Sequence, residues 1–244
     1  MNMEIPKEYK RGYTTFLDCH IDLSKRPLIP RVETEEWVRA VVASVVIPAK
    51  AGIHGSWIPG QARDDTGSGD GTKVLDIFAG SGCIGIAMLK HLPNATVDFV
   101  DSEDNCIEQI KINCDLNKIN PKRYRIIKSD VFNNLPDSSP TAQNDTKYDL
   151  ILANPPYCVE PNVDISVLTY EPIKAVIGGG EDGLNFVKKF LATASKYLRP
   201  NGEIYMEFDG FQKEKIDDLL SELNYHQWEF HKDQFGRWRW VSFS

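Results

Sequence analysis

A chain of 244 residues, 41% of them apolar and 26% charged, is long enough for one substantial core with a small appendage. Its formal net charge of −7 removes any global attraction for nucleic acid and leaves only a local basic patch open. The five cysteines (Cys19, Cys83, Cys106, Cys114, Cys158) are scattered, odd in number and lack a C-x-x-C pair, which argues against a disulfide framework or structural zinc and fits a reducing cytosol. The five histidines lack metal-ligand spacing, so no metal site is expected. Residues Met1 to Glu8 have no signal-peptide core, and no apolar run approaches the ~18–20 residues of a membrane span. A soluble, cytoplasmic monomer is expected.

In chain order, Tyr13–Leu17 and Cys19–Leu23 alternate as a small hairpin would, and Pro27-Leu28-Ile29-Pro30-Arg31 follows as a proline-bounded extended segment. Thr34 is placed to cap a helix over Glu35–Ser44, whose Trp37, Val38, Val41, Val42 and Val45 share a face. Residues 1–45 thus make an N-terminal hairpin and connecting helix. The pattern breaks at 46–70, where two Ile-Pro steps and many glycines lead into Asp64-Asp65-Thr66-Gly67-Ser68-Gly69-Asp70-Gly71. The stretch resembles a peptide that recurs in unrelated bacterial proteins as a translated mobile repeat, and reads as a flexible insertion; a functional lid is the sharper alternative. Lengthening a loop to ~30 residues costs only roughly 1–2 kcal/mol of closure entropy.

Residues 71–244 alternate strand and helix. Strands are predicted at Val74–Phe78, Thr96–Asp101, Tyr124–Lys128, Leu150–Ala153, Glu203–Phe208, Gln227–His231 and Trp238–Phe243. Helices are predicted at Ile84–Leu92, Asn105–Asn117, Asn185–Leu198 and Lys213–Leu223. The pattern implies an α/β fold: a mostly parallel seven-stranded sheet with helices on both faces and an antiparallel last strand. Ligands bind beyond the carboxyl ends of such strands, where Asp76, Asp101, Asp130 and Asn154 all fall.

Two stretches carry the chemistry. Asp76-Ile77-Phe78-Ala79-Gly80-Ser81-Gly82-Cys83-Ile84-Gly85 contains G-x-G-x-x-G, which admits a dinucleotide. An anionic Asp76 beside a pyrophosphate is badly placed, however, whereas S-adenosylmethionine carries a sulfonium, an ammonium, a ribose diol and an adenine, and no phosphate. In that reading Asp76 faces the cationic methionine end and Gly80 and Gly82 admit close backbone approach. Asp101 then accepts the ribose hydroxyls and Asp130 the adenine amino group. Asn154-Pro155-Pro156-Tyr157 ends a buried strand in a turn fixed by two prolines without N–H groups. It offers the Asn154 amide oxygen and main-chain carbonyls as a rigid pair of acceptors for a planar –NH2.

Together these stretches resemble class I methyltransferases acting on planar amino groups. Leu28-Ile29-Pro30-Arg31-Val32-Glu33-Thr34-Glu35, Tyr170-Glu171-Pro172, Gly179-Gly180-Glu181-Asp182-Gly183-Leu184 and Lys232-Asp233-Gln234-Phe235-Gly236-Arg237 narrow the resemblance to the release-factor glutamine methyltransferases (HemK-type). It implies a Rossmann-like fold, S-adenosylmethionine as methyl donor, and the glutamine of a release factor's Gly-Gly-Gln loop as acceptor. It assigns Asn154, Pro155, Pro156 and Tyr157 to catalysis. Asp76, Phe78, Ala79, Gly80, Gly82, Asp101, Ser102, Asp130, Val131 and Asn154 are assigned to the donor, and Arg31, Glu33, Thr34, Glu171 and Pro172 to the substrate.

The chain departs from that pattern at Phe78, where glycine is common, at Val32, which replaces a proline, and at Asp209, which replaces a glycine after Glu207-Phe208. It also begins at the hairpin, without the helical domain that precedes it in the family. Two alternatives stand beside the protein-glutamine reading: an adenine or guanine amino methyltransferase on DNA or RNA using a flipped base, and a non-catalytic S-adenosylmethionine-binding protein. The negative charge disfavours the former, and intact Asp101, Asp130 and Asn154 disfavour the latter.

Overall fold

The structure, a computed structural model, describes residues 4–51, 71–136 and 146–244, with residues 46–51 described as helical backbone alone. A short helix α1 (Lys7–Arg11) precedes a hairpin of β1 (Tyr13–Phe16) and β2 (Cys19–Asp22), then α2 (Val32–Ala51). The remainder runs β3 (Lys73–Ile77), α3 (Cys83–His91), β4 (Thr96–Asp101), α4 (Asp104–Leu116), β5 (Tyr124–Lys128) and β6 (Tyr148–Ala153). It continues with α5 (Ile165–Tyr170), α6 (Asn185–Ala194), β7 (Leu198–Glu207), α7 (Lys213–Glu222), β8 (Trp228–Lys232) and β9 (Trp238–Phe243). The seven-stranded sheet has the order β5-β4-β3-β6-β7-β9-β8, with β9 antiparallel to both neighbours.

The strand order reverses between β3 and β6, and register makes this the site of a cleft. Ile77 pairs with Val100 on β4 and with Ala153 on β6, and Ala153 pairs with Met206 on β7. One residue beyond that row stand Phe78, Asp101, Asn154 and Glu207. The central strands are apolar runs because helices cover both faces: all six residues of β6 are buried. One core packs the hairpin, α2, α3 and α4 against the sheet through Trp37, Ile86, Met88 and Ile110, and the other packs α6 and α7 through Val187, Phe190 and Ile216. Gly85 is the contact point of α3 with β4; a Cβ there would lie 2.3 Å from Phe99 Cε1.

Three elements differ from expectation. α2 begins at Val32, so Thr34 lies inside its first turn and is not its cap. The helix also runs on to Ala51, past the Ser44 end that was expected. Beyond residue 51, the insertion read at 46–70 lies outside the described residues. Finally, the helix predicted over Asn185–Leu198 ends at Ala194, and Leu198 with the following Arg199-Pro200-Asn201-Gly202 belongs to β7. Leu198 pairs with Tyr148, Asn201 turns at φ 62°, and pairing resumes at Glu203 with Leu150. The Arg199–Asp149 ion pair at 2.7 Å, nearly shielded from solvent, anchors this bulge.

Among the described residues no helix is long and apolar enough to cross a membrane, and no group of three His, Cys, Asp or Glu could hold a metal ion.

Candidate active site

A cavity of about 800 Å³ opens where the strand order reverses, floored by Ile77, Phe78, Val100 and Asn154. Its acidic wall residues are Asp101, Glu103 and Asp130, and its basic ones Arg31 and Lys174. Both bases are already paired with carboxylates, Arg31 with Glu171 at 2.6 Å and Lys174 with Glu103 at 3.2 Å. Glu103 and Asp130 are in turn paired with Lys174 and Lys189, so among these wall groups Asp101 alone has no cation partner and no cation is free, which suits a phosphate-free, positively charged molecule and opposes a pyrophosphate.

Asp101 ends β4 on the cavity wall, where Oδ2 accepts the Gly80 N–H at 2.8 Å and Oδ1 the Glu103 N–H at 3.0 Å. Burial raises its pKa, against the lowering effect of those backbone bonds. Ser102 and Cys106 also hydrogen-bond to it, and a carboxylate at this place on the wall is the acceptor that a ligand diol would meet. Ala79, Gly80 and Ser102 line the same wall. Phe78 sits at φ 62°, the left-handed geometry that glycine adopts without strain, and its ring packs edge-on against Phe186 and Phe190. On the far wall Asp130 pairs with Lys189 and Val131 is held at φ 53°, rare for a β-branched residue. Such strain concentrates at ligand sites.

Two residues expected at the donor lie elsewhere. Asp76 is fully buried inside β3 and is not a cavity-wall residue. Its Oδ2 accepts the Gly85 N–H at 2.8 Å, and Oδ1 has no hydrogen-bond partner. Burial raises its pKa well above the usual range, and the nearby Asp101 charge adds to the rise. It ties α3 to the sheet. Gly82, at φ 78°, precedes α3 and packs against Ile110, where a Cβ would approach Cγ1 to 3.2 Å. It permits helix–helix contact and is likewise off the wall.

The Asn-Pro-Pro-Tyr turn is braced from behind. Asn154 and Pro156 face the cavity, whereas Pro155 and Tyr157 do not. Cys158 N–H donates to Val176 O at 2.9 Å, and Gly178 N–H to Cys158 O at 3.0 Å. Gly183 lies so close that a Cβ would meet Tyr157 O at 2.2 Å. Gln212 Nε2 donates to the carbonyls of Tyr157 and Asp182, each at 2.8 Å. The glycines at 178 and 183 thus serve backbone approach behind the turn.

The side chains of the turn converge on Glu207, which is 1% exposed. Its Oε1 accepts Tyr157 OH at 2.8 Å; its Oε2 accepts Thr34 Oγ1 at 2.7 Å and Trp37 Nε1 at 2.8 Å. Asn154 Nδ2 donates to the same Thr34 oxygen at 3.2 Å. Burial raises the Glu207 pKa while the three hydrogen bonds and Arg239 pull it down, and Tyr157 is pushed well up by burial and by the Glu207 charge. Glu207 and Gln212 were not among the expected site residues. A carboxylate closing the buried run Ile204-Tyr205-Met206 was the available signal, because a buried charge requires partners.

Of the residues expected on the substrate side, Arg31, Thr34 and Pro172 line the cavity; Glu33 and Glu171 do not. Glu171 is buried and accepts the Ile29 N–H at 3.0 Å as well as Arg31, which fixes the Leu28–Arg31 segment. Glu33 pairs with Arg237 of the β8–β9 hairpin at 3.0 Å.

Residues 64–170 match the Methyltransferase small domain family. The chain is 30% identical over 240 residues to the release factor glutamine methyltransferase of Streptococcus pneumoniae, covering 97% of this chain and 74% of that protein. It is 31% identical over 209 residues to a ribosomal protein uL3 glutamine methyltransferase of Francisella tularensis, covering 85% and 57% respectively. Among solved structures, human methyltransferase 10 domain containing protein superposes with a TM-score of 0.61 at 18% identity over 93% of this chain and 89% of that one, a likeness of fold.

Proposed function

We propose that this chain, which belongs to the release factor glutamine methyltransferase family, methylates N5 of a glutamine side chain in a protein, the Gly-Gly-Gln motif of a peptide chain release factor. S-adenosylmethionine is the methyl donor and supplies an electrophilic methyl group carried on a sulfonium. Asp101 would hold its ribose diol and Asp130 its adenine edge, between the apolar faces of Phe78, Val131 and Phe186.

An amide nitrogen is a poor nucleophile because its lone pair is delocalised into the carbonyl. In this reading Asn154 Oδ1 accepts one N–H of the substrate amide, whereas Pro155, whose carbonyl was expected to take the other, stands off the cavity wall. That grip turns the nitrogen lone pair towards the donor pocket and favours the pyramidal nitrogen of the transition state. Pro156 would shape the floor beneath it, and Tyr157, held by Glu207, would stiffen the turn. Arg31 and Pro172 would form the outer wall over which the protein substrate enters. The observation that carries the proposal is the position of Asn154: it faces the cavity with its Nδ2 committed to Thr34, leaving Oδ1 as the free acceptor.

The test offers labelled donor in parallel to a release factor, its Gly-Gly-Glu version, tRNA, ribosomal RNA fragments and DNA. Label is expected on the Gly-Gly-Gln protein alone. Label on nucleic acid alone would replace the substrate class, and label on the Gly-Gly-Glu version would move the acceptor elsewhere on the protein.

A further inference from the structure

The geometry points to Glu207 and Thr34 as a polarity relay that decides which end of the Asn154 amide meets the substrate. The inference rests on the reading of Asn154 as acceptor and adds what fixes its orientation. An asparagine side chain is nearly symmetric in shape, and its two faces have opposite chemistry: an oxygen that accepts and an NH2 that donates. A flip would present two N–H groups to a substrate –NH2 and abolish the grip. Something must forbid it.

The hydrogens can be counted outward from the core. Trp37 Nε1 can only donate, and it points at Glu207 Oε2 at 2.8 Å. With Glu207 as the carboxylate, that oxygen only accepts. Thr34 Oγ1 lies 2.7 Å from the same oxygen, so its single hydrogen is spent there. The Thr34 oxygen has only lone pairs left to offer Asn154. At 3.2 Å the Asn154 atom facing it must be the NH2, and Oδ1 is turned into the cavity. Tyr157 OH, donating to Oε1 at 2.8 Å, holds the other end of the carboxylate. Segments far apart in sequence meet here: Thr34 and Trp37 lie on α2, Asn154 follows β6 and Glu207 ends β7. Thr34 thereby changes role, from a group that touches substrate to a positioning residue that acts through Asn154.

The test reads orientation and rate separately, on the full chain. The Asn154 side-chain NH2 is followed by ¹H–¹⁵N spectroscopy, its signal identified by loss in Asn154→Ala. Thr34→Val, which removes the hydroxyl at nearly equal volume, is expected to shift that signal and speed its hydrogen exchange. Thr34→Ser is expected to restore both. Single-turnover methyl transfer to the Gly-Gly-Gln protein should slow roughly tenfold in Thr34→Val, the scale of one lost hydrogen bond, and recover in Thr34→Ser. In an Asn154→Ala background Thr34→Val should have no further effect on rate. Glu207→Gln gives a second arm should Thr34→Val fail to fold. Trp37 forces the new amide oxygen towards Thr34, so the Asn154 signal should persist, whereas Glu207→Leu should displace it. An unmoved Asn154 signal in Thr34→Val, or the same slowing with Asn154 already removed, overturns the relay. If the signal moves as expected while Asn154→Ala transfers at the parental rate, the positioning stands and the acceptor role of Asn154 is what fails.

Discussion

Gly80 donates its backbone N–H to the Asp101 carboxylate at 2.8 Å, across 21 residues of sequence. The contact ties the loop after β3 to the end of β4, and so presents both sides of the donor pocket in one fixed relation. Asp101 therefore has two tasks, shaping the loop and accepting from the ligand. Only the second faces the cavity.

Asp101→Ala is expected to weaken S-adenosylmethionine binding by tenfold or more, because each hydrogen bond to a charged acceptor contributes about 1.5–3 kcal/mol. Burial raises the Asp101 pKa, and the accepting form is the carboxylate. The parent should lose donor affinity as pH falls, starting above the ordinary Asp range near about 3.9, while Asp101→Ala shows no such decline. Calorimetry across that range checks both; equal affinity in parent and variant would remove Asp101 from the donor site.

Phe78 gives a stability prediction whose order is unusual. At φ 62° any side chain strains the backbone, by about 1–2 kcal/mol in the left-handed region. The phenylalanine offsets that strain by packing on Phe186 and Phe190. Phe78→Ala keeps the strain and loses the rings; Phe78→Gly loses the rings and the strain together. Denaturant unfolding should rank parent above Phe78→Gly above Phe78→Ala, with roughly 1 kcal/mol between the two variants. Alanine more stable than glycine would mean that the loop relaxes out of this geometry.

Much of this architecture was legible in the sequence, and the misses have common causes. Strand β4 and the β8–β9 hairpin follow directly from apolar runs and turn residues, and the strand-end placement of Asp101, Asp130 and Asn154 follows from β-α alternation. Asp76 misled because its position at a strand end looks like that of Asp101. One strand-to-helix step separates them: Asp76 points into the core to hold Gly85, and Asp101 points out. Glu33 and Glu171 were misread because a charge beside a motif can serve the scaffold as readily as the ligand. Glu207 was missed because its partners Thr34 and Trp37 lie 173 and 170 residues away, a distance no local pattern spans.

Asp76 also sets a pH dependence of stability. Its folded pKa is raised well above the unfolded value by burial. Below about pH 3.9 both states are protonated and the group's contribution is fully present; it is lost as pH rises through the folded pKa. Asp76→Asn keeps an oxygen for the Gly85 N–H and cannot ionise. The melting temperature of Asp76→Asn relative to parent should therefore climb steadily from acidic to neutral pH. A flat difference would mean that Asp76 titrates alike in both states.

The last expectation concerns the transfer step. Asn154→Ala removes the acceptor while leaving Asp101 and Asp130 untouched. Donor affinity should hold, and the single-turnover rate should fall by on the order of 10²-fold or more, the scale for one preorganised polar group. Asn154→Asp is the more telling change, because it keeps an acceptor oxygen for the substrate. With the Thr34 hydrogen committed to Glu207, the introduced carboxylate faces Thr34 lone pair to lone pair, beside a second buried anion. Arg239, 3.5 Å from Tyr157 OH and paired to Asp233, stands on the far side of Tyr157. Near neutral pH this variant should be slow. Protonation of the introduced carboxyl supplies the missing hydrogen to Thr34 and returns a bare oxygen to the cavity, so its rate relative to parent should rise as pH falls. A rate ratio that stays level or drops on acidification would show that the Thr34 contact does not govern the acceptor at this position.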